Sequence, residues 1–315
     1  MRWELALLCV AGCGRFAIEA APTEDAGEPP GATPDGGAKD ASAMTSSGGT
    51  TPKPEVDAGP PCSAAPVLAF DVAGGAVRNV GSAGTNVTGK VLVWEGFPTL
   101  VDSGPIGPNA PASTQTSSLD FGDTPIESDG VRSVDFANST LGQAITGPLL
   151  TITGWLQMSD DSSGAGGNRL ISSLNGTKGI ELVQSGQGLR LGVNGFADLT
   201  GAPQSGDHLA VRASGPVTAA DWSFFAVTYD GKNTSKVSFF FGDGNTLATF
   251  DTSATYTRGS INPSDSVSLG NFAVGDARND PDSSSRVPRG RLHGVRVFTR
   301  ILSLDDIRCE QTHAR

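Results

Sequence analysis

The chain has 315 residues, a formal charge of −11, 42 glycines and 20 prolines, and only 17% of its residues are charged. That balance suits many strands joined by turns and excludes a protein of long helices, which needs more Ala, Leu, Glu and Lys at helical spacing. No basic stripe interleaved with aromatics is present, which argues against a nucleic-acid partner, and acidity alone names no other.

In chain order, residues 1–12 carry a short apolar run, Leu5–Gly12, behind Arg2 and Glu4. The run is too short to span a bilayer. Val10-Ala11-Gly12-Cys13 resembles the bacterial lipobox, whose cysteine receives a diacylglycerol. The resemblance implies a signal peptide over residues 1–12, with Cys13 as the lipid anchor and the membrane reached through that lipid alone. Glu4 beside Arg2 departs from the usual basic leader. Residues 13–61 follow as a linker. Positions 14–61 hold eight prolines, eight glycines, eight acids and three bases, leaving little to bury, so a disordered tether is expected. Such a chain spans about 40 Å root-mean-square, enough to hold a domain clear of a surface. The expected place is the cell envelope of a bacterium, as an outer-membrane lipoprotein exposed at the surface.

From Cys62 the pattern becomes strands and turns, and residues 62–315 are expected to form one domain, without internal repeats. Pro66–Val72 alternates, with Leu68, Phe70 and Val72 opposite Val67, Ala69 and Asp71. Residues 73–117 are weakly patterned, and Val91–Trp94 is their one clear strand. Leu119–Phe121, Val134–Phe136, Leu149–Gln157, Arg169–Leu174, Gly179–Gln184 and Leu189–Val193 come next. In the third strand of that run Trp155 has opposite parity to Ile152 and Leu156, so either Gly154 marks a bulge or the indole lies on the second face. Trp222–Tyr229 and Lys236–Phe241 form a hairpin around Asp230-Gly231, and Val267–Asn271 precedes the terminal loop.

Residues 290–307 are the most informative stretch. Val295 and Val297 alternate with Arg296 and Phe298, and Ser303 and Asp306 have capping-box spacing, which predicts a brief helix over Leu304–Arg308. This arrangement resembles the last strand of laminin-G-like and pentraxin-like domains in the concanavalin A-like superfamily. Leu149–Gln157, the Trp222–Phe241 hairpin and Val267–Asn271 resemble strands of the same family, in the same order, over about 190 residues from Leu119 to Arg308. The resemblance implies an all-β, antiparallel jelly-roll sandwich of about twelve to fourteen strands. His293 and Gly294 stand where the family carries an acidic pair. By parity with Val295 and Val297, His293 is expected to point inward as a hydrogen-bonded structural histidine.

In a jelly roll the terminal strands lie side by side, so a disulfide between Cys62 and Cys309, which bracket the domain, is expected; two buried free thiols are the alternative. Calcium is common in this family. Asp276, Asp280 and Asp282 can supply hard oxygen ligands, as can Asp160 and Asp161, although solvated turn acids explain the same residues. Trp94 and Phe97 are the candidate glycan contacts, with an ordinary packed loop as the other reading, and Trp155 and Trp222 read as core.

Retaining glycoside hydrolysis needs two carboxyls about 5 Å apart. The domain holds four glutamates, Glu95, Glu127, Glu181 and Glu310, and none has an acid at strand spacing on a strand. His208, His293 and His313 lack a G-x-S-x-G partner. The sequence therefore points to a non-catalytic surface binding or adhesion module for a glycan or an extracellular protein. A divergent hydrolase drawing acids from separate loops, such as Asp160, Asp276 and Asp280, and a purely structural envelope protein are the alternatives.

Overall fold

The computed structural model describes residues 62, 64–93, 96–111, 117–122, 132–136, 139–158, 168–185, 188–195, 209–210, 221–256, 258–271 and 288–313. All lie within one unit of the chain, Val56–Arg315. The described residues form a jelly-roll sandwich of two antiparallel sheets with seventeen strands and two helices.

In chain order the elements are β1 (Leu68–Ala73), β2 (Ala76–Asn79), β3 (Val87–Thr88), β4 (Lys90–Leu92), β5 (Thr99–Val101), β6 (Ser118–Asp120) and β7 (Ser133–Phe136). Helix α1 (Ser139–Ala144) follows, then β8 (Leu149–Met158), β9 (Asn168–Ser172), β10 (Ile180–Ser185), β11 (Gly188–Val193) and β12 (Leu209–Ala210). The chain ends with β13 (Ser223–Asp230), β14 (Lys236–Asp243), β15 (Thr249–Thr255), β16 (Val267–Leu269), β17 (Gly290–Phe298) and α2 (Leu304–Thr312).

The first sheet runs β15-β14-β13-β8-β17-β1-β2-β3, and β6, itself paired with β5, shares an edge of β17 with β1. The second runs β12-β11-β10-β9-β16-β7-β4. The strand count exceeds the expected twelve to fourteen because β2, β3 and β5 arise in the Gly/Pro-rich stretch 73–117. Pairings of two to four residues there carry no alternation to detect.

Inward residues of both sheets make the main core: Leu68, Phe70, Ile152, Leu156, Leu182, Phe225, Val227, Phe239, Val295 and Val297 are all buried. Each such side chain contributes about 1.5–3 kcal/mol by leaving water, so this layer dominates stability. A second, smaller cluster lies on the other face of the first sheet, under α2, and joins Trp155, Trp222, Phe224, Phe298, Leu302 and Ile307. Trp155 belongs to it, its ring edge-on to Phe224 at 5.4 Å. Of the two options for Trp155, the ring on the second face is the one realised. Strand β8 pairs with β13 without interruption across Gly154. That glycine is required by packing, since a Cβ there would stand 2.8 Å from Cζ of Phe225.

The bulge lies instead in β17. His293 opposes Trp155 and Arg296 opposes Thr153, so Gly294 and Val295 together face one residue of β8. Gly294 supplies the left-handed backbone this needs, with φ of 59°. The extra residue reverses parity: Leu292 and Val295 both enter the core, and His293 takes the opposite face, beside Trp155 and with its ring 6.3 Å from Trp222. The inward placement expected for His293 is thereby corrected.

Helix α2 begins as its sequence predicts. Ser303 Oγ accepts from the Asp306 amide at 3.1 Å, and Asp306 Oδ2 accepts from the Ser303 amide, closing the capping box. It runs on to Thr312, beyond the expected Arg308, because its second half is fastened to the sandwich. Gln311, fully buried, donates to the carbonyls of Asp243 and Thr246, each at 2.8 Å, and accepts from the Ala248 amide.

Candidate functional site

Strand β17 has two partners along one edge. β6 pairs with its start, Leu119 opposite Leu292, and β1 with its end, Ala69 opposite Arg296. Among the described residues no strand pairs with residues 293–295 on that edge, and here the sheet opens. A pocket of about 310 Å³ occupies the opening on the α2 side, lined by Asp71, Trp155, His293, Gly294, Arg296 and Glu310 among others.

Each wall has a local cause. Asp71 sits on the polar parity of β1, half-buried, and makes no hydrogen bond or ion pair among the described residues. A second wall, Val80–Ser82, is folded back over β1 by Asn79, which is fully buried. The Asn79 side chain accepts from the amides of Ala69 (3.0 Å) and Gly81 (3.2 Å) and donates to the carbonyls of Ala83 and Gly84. Gly81 lies so close to β1 that a Cβ would stand 2.6 Å from Cα of Leu68. Pro111 closes a third side, at the end of a loop tied down by the Asn109 amide to the Gly244 carbonyl at 2.9 Å.

The floor is ionic. Arg296 reaches from β17 to α2 and pairs with Glu310, both buried. Such a pair is close to neutral for stability when intact and costly when broken, so it fixes the helix against the sheet more than it attracts a ligand. His293 is oriented by its Nδ1, 2.9 Å from the Ser117 carbonyl oxygen. That bond requires Nδ1 to carry the proton, which leaves Nε2 an acceptor in the neutral ring. Burial lowers the His293 pKa below its ordinary 6.5 and the Arg296 charge adds to this, against the Ser117 carbonyl and Asp71, which raise it.

The sequence-derived site residues are distributed as follows. Cys62 and Cys309 are joined by a disulfide, with Cα atoms 5.7 Å apart. It pins the start of the domain to α2 next to the pocket, where His313, one turn on from Cys309, lines the wall. Phe97 is half-buried, with the Arg132 guanidinium 5.2 Å from its ring centroid and Gly122 against its face. Cys13, Trp94, Asp160, Asp161, His208, Asp276, Asp280 and Asp282 lie outside the described residues, as do Glu95 and Glu127. The two described glutamates of the domain are both held by arginines, Glu310 by Arg296 and Glu181 by Arg169 at 2.9 Å.

Sequence reasoning missed the pocket itself. Its signals were a glycine inside a strand, His293-Gly294, which marks a bulge, and an acid on the outer parity of the first strand, Asp71.

A sequence profile described as the concanavalin A-like lectin/glucanases superfamily matches residues 129–308. No curated protein matches the sequence. Solved structures similar to this one include the binding domain of botulinum neurotoxin serotype G, at 11% identity and a TM-score of 0.48, covering 77% of this chain and 50% of that one. The binding domain of paraclostridial mosquitocidal protein 1 is similar at 11% identity and a TM-score of 0.48, over 78% and 51% of the two chains. A heptameric SAP-like pentraxin from Limulus polyphemus is similar at 12% identity and a TM-score of 0.39, over 61% and 79%. This chain thus spans about half the length of the toxin domains it resembles.

Proposed function

The chain belongs to the concanavalin A-like lectin/glucanases superfamily, and from that premise we propose that it is a non-catalytic binding module for a glycan or an extracellular protein, carried on a flexible tether by a lipid on Cys13. The observation that carries the reading is the pocket at the β17 bulge. It combines a carboxylate that makes no hydrogen bond or ion pair among the described residues, an oriented imidazole and apolar walls, held on a braced scaffold of sheet, helix and disulfide. A recognition site has this form, with a few polar groups placed on an otherwise apolar concavity.

Hydrolysis of a glycosidic bond asks for two carboxyls that can trade a proton. In this pocket Glu310 is engaged by Arg296, so Asp71 is the only unpaired carboxylate among its described residues. That favours holding a ligand over cleaving it.

Glycan-array and pull-down binding by the full chain, with calcium and with chelator, tests the proposal. Specific retention of a glycan or surface protein, with the ligand recovered intact, is the expected result. Release of product from a polysaccharide, abolished by one acid-to-amide change, would overturn it. Calcium-dependent binding lost in Asp280→Ala would assign the acidic stretch 276–282 as the ligand-holding loop.

A further inference from the structure

Resting on the reading of the pocket as the binding site, we propose that it accepts the terminal residue of a neutral sugar and rejects anionic sugars. The argument starts from what the walls offer a ligand. Asp71 makes no hydrogen bond or ion pair among the described residues, and Nε2 of His293 is left as an acceptor by the bond that Nδ1 makes to Ser117. Both groups therefore want donors. Hydroxyl groups on adjacent ring carbons provide two donors a short distance apart, on a frame whose C–H face is apolar. The same lining holds Ala65, Pro66, Val80 and Pro111, which suit that face.

Charge supplies the discrimination. Among the described lining residues, Asp71 and Glu310 against Arg296 leave one negative charge in excess before the histidines are counted. Histidines apart, Arg296 is the one basic side chain among the described lining residues, and it is already neutralised by Glu310. Arg78 stands opposite Asp71 on β2 but is exposed, does not line the pocket and makes no bond to Asp71. A uronate, sialate or phosphate would meet an unpaired carboxylate and find no free guanidinium or ammonium among the described lining residues. A bare ammonium group fits less well than a sugar. It would answer Asp71 but leave the apolar walls uncovered, and Trp155, at 2% exposure, has no ring face to offer a cation. At about 310 Å³ the pocket sits at the small end of ligand sites, roughly 300–1,000 Å³, which suits a chain end.

Acidity should act through His293. The groups around it are Asp71 from β1, Arg296 and the Arg291–Asp120 pair along its own edge of the sheet, Glu310 and His313 from α2, and the neutral Ser117 and Trp222. Protonation turns Nε2 from acceptor into donor, so affinity is constant above pH 6.5 and falls as pH drops through the lowered pKa.

The experiment is calorimetric titration of the full chain, with tryptophan fluorescence in parallel, using the methyl glycosides of glucose, galactose and mannose, then glucuronate, N-acetylneuraminate and lysine amide. At least one neutral glycoside binds, glucuronate and N-acetylneuraminate do not, and Asp71→Asn weakens binding about tenfold or more. His293→Gln removes the acid dependence. Asp71 makes no hydrogen bond or ion pair among the described residues, so its amide variant should fold as the parent does. Preference for glucuronate, N-acetylneuraminate or lysine amide overturns the proposal. Neutral binding untouched by Asp71→Asn also overturns it, leaving the binding-module reading intact with its site elsewhere. Failure of every sugar while the pull-down retains a surface protein has the same meaning. Failure of both sinks the two readings together.

Discussion

Gly294 holds a backbone conformation with φ of 59° and has open space where a Cβ would go. Gly294→Ala therefore adds backbone strain without a clash, and about 1–2 kcal/mol of stability should be lost. Gly294→Asn should lose less, because asparagine tolerates that region. Gly154, one strand away, is the opposite case: its backbone is ordinary but a Cβ would meet Phe225 at 2.8 Å. Gly154→Ala should cost about 1–3 kcal/mol through overpacking. Urea denaturation separates the two, since only the Gly294 variants should also alter ligand affinity. His293 adds a pH dependence with a definite sign. Its folded pKa is lowered, so below 6.5 the unfolded state binds more protons and stability falls with falling pH, while above 6.5 this contribution is constant. Denaturation profiles across that window should be flatter in His293→Gln than in the parent.

At the scale of elements, β1, β17 and α2 frame the pocket. The capping box was legible as Ser303 and Asp306, and Ser303→Ala should cost about 1 kcal/mol through loss of the cap. Arg296 and Glu310 were legible as residues but not as a pair, because their contact depends on how α2 folds back over the sheet. Removing one partner, as in Glu310→Ala, should cost about 3–5 kcal/mol, whereas the double change Arg296→Met with Glu310→Leu should come close to neutral. Chemical denaturation of the three proteins checks this. The long strands β8, β13, β14 and β17 could be read because they run for eight to ten residues rich in apolar and β-branched side chains. The pocket could not, for a physical reason: a one-residue bulge reverses which face every residue before it occupies, so His293 moved from core to pocket without any change in the apparent pattern. Asn79 escaped notice for a related reason. Its role is to fold the next five residues over β1, and no periodicity records that.

For the whole molecule, the Cys62–Cys309 bridge links positions 247 residues apart. In the chain-entropy model such a loop is worth about 5 kcal/mol, and measured bridges often give less. Reduction should lower the unfolding midpoint and loosen the pocket's α2 wall together, because Cys309 lies in the helix that carries Glu310 and His313. The central claim is that the opening beside the β17 bulge binds a sugar without cleaving it. Amide NMR of the labelled protein, titrated with the methyl glycosides, reads location and turnover in one sample. The predicted result is a set of shifts confined to Asp71, Gly81, Ser82, Gly294 and His313, with the glycoside spectrum unchanged at saturation. Shifts confined to the seven-stranded sheet, or signals of free sugar appearing with time, would contradict it.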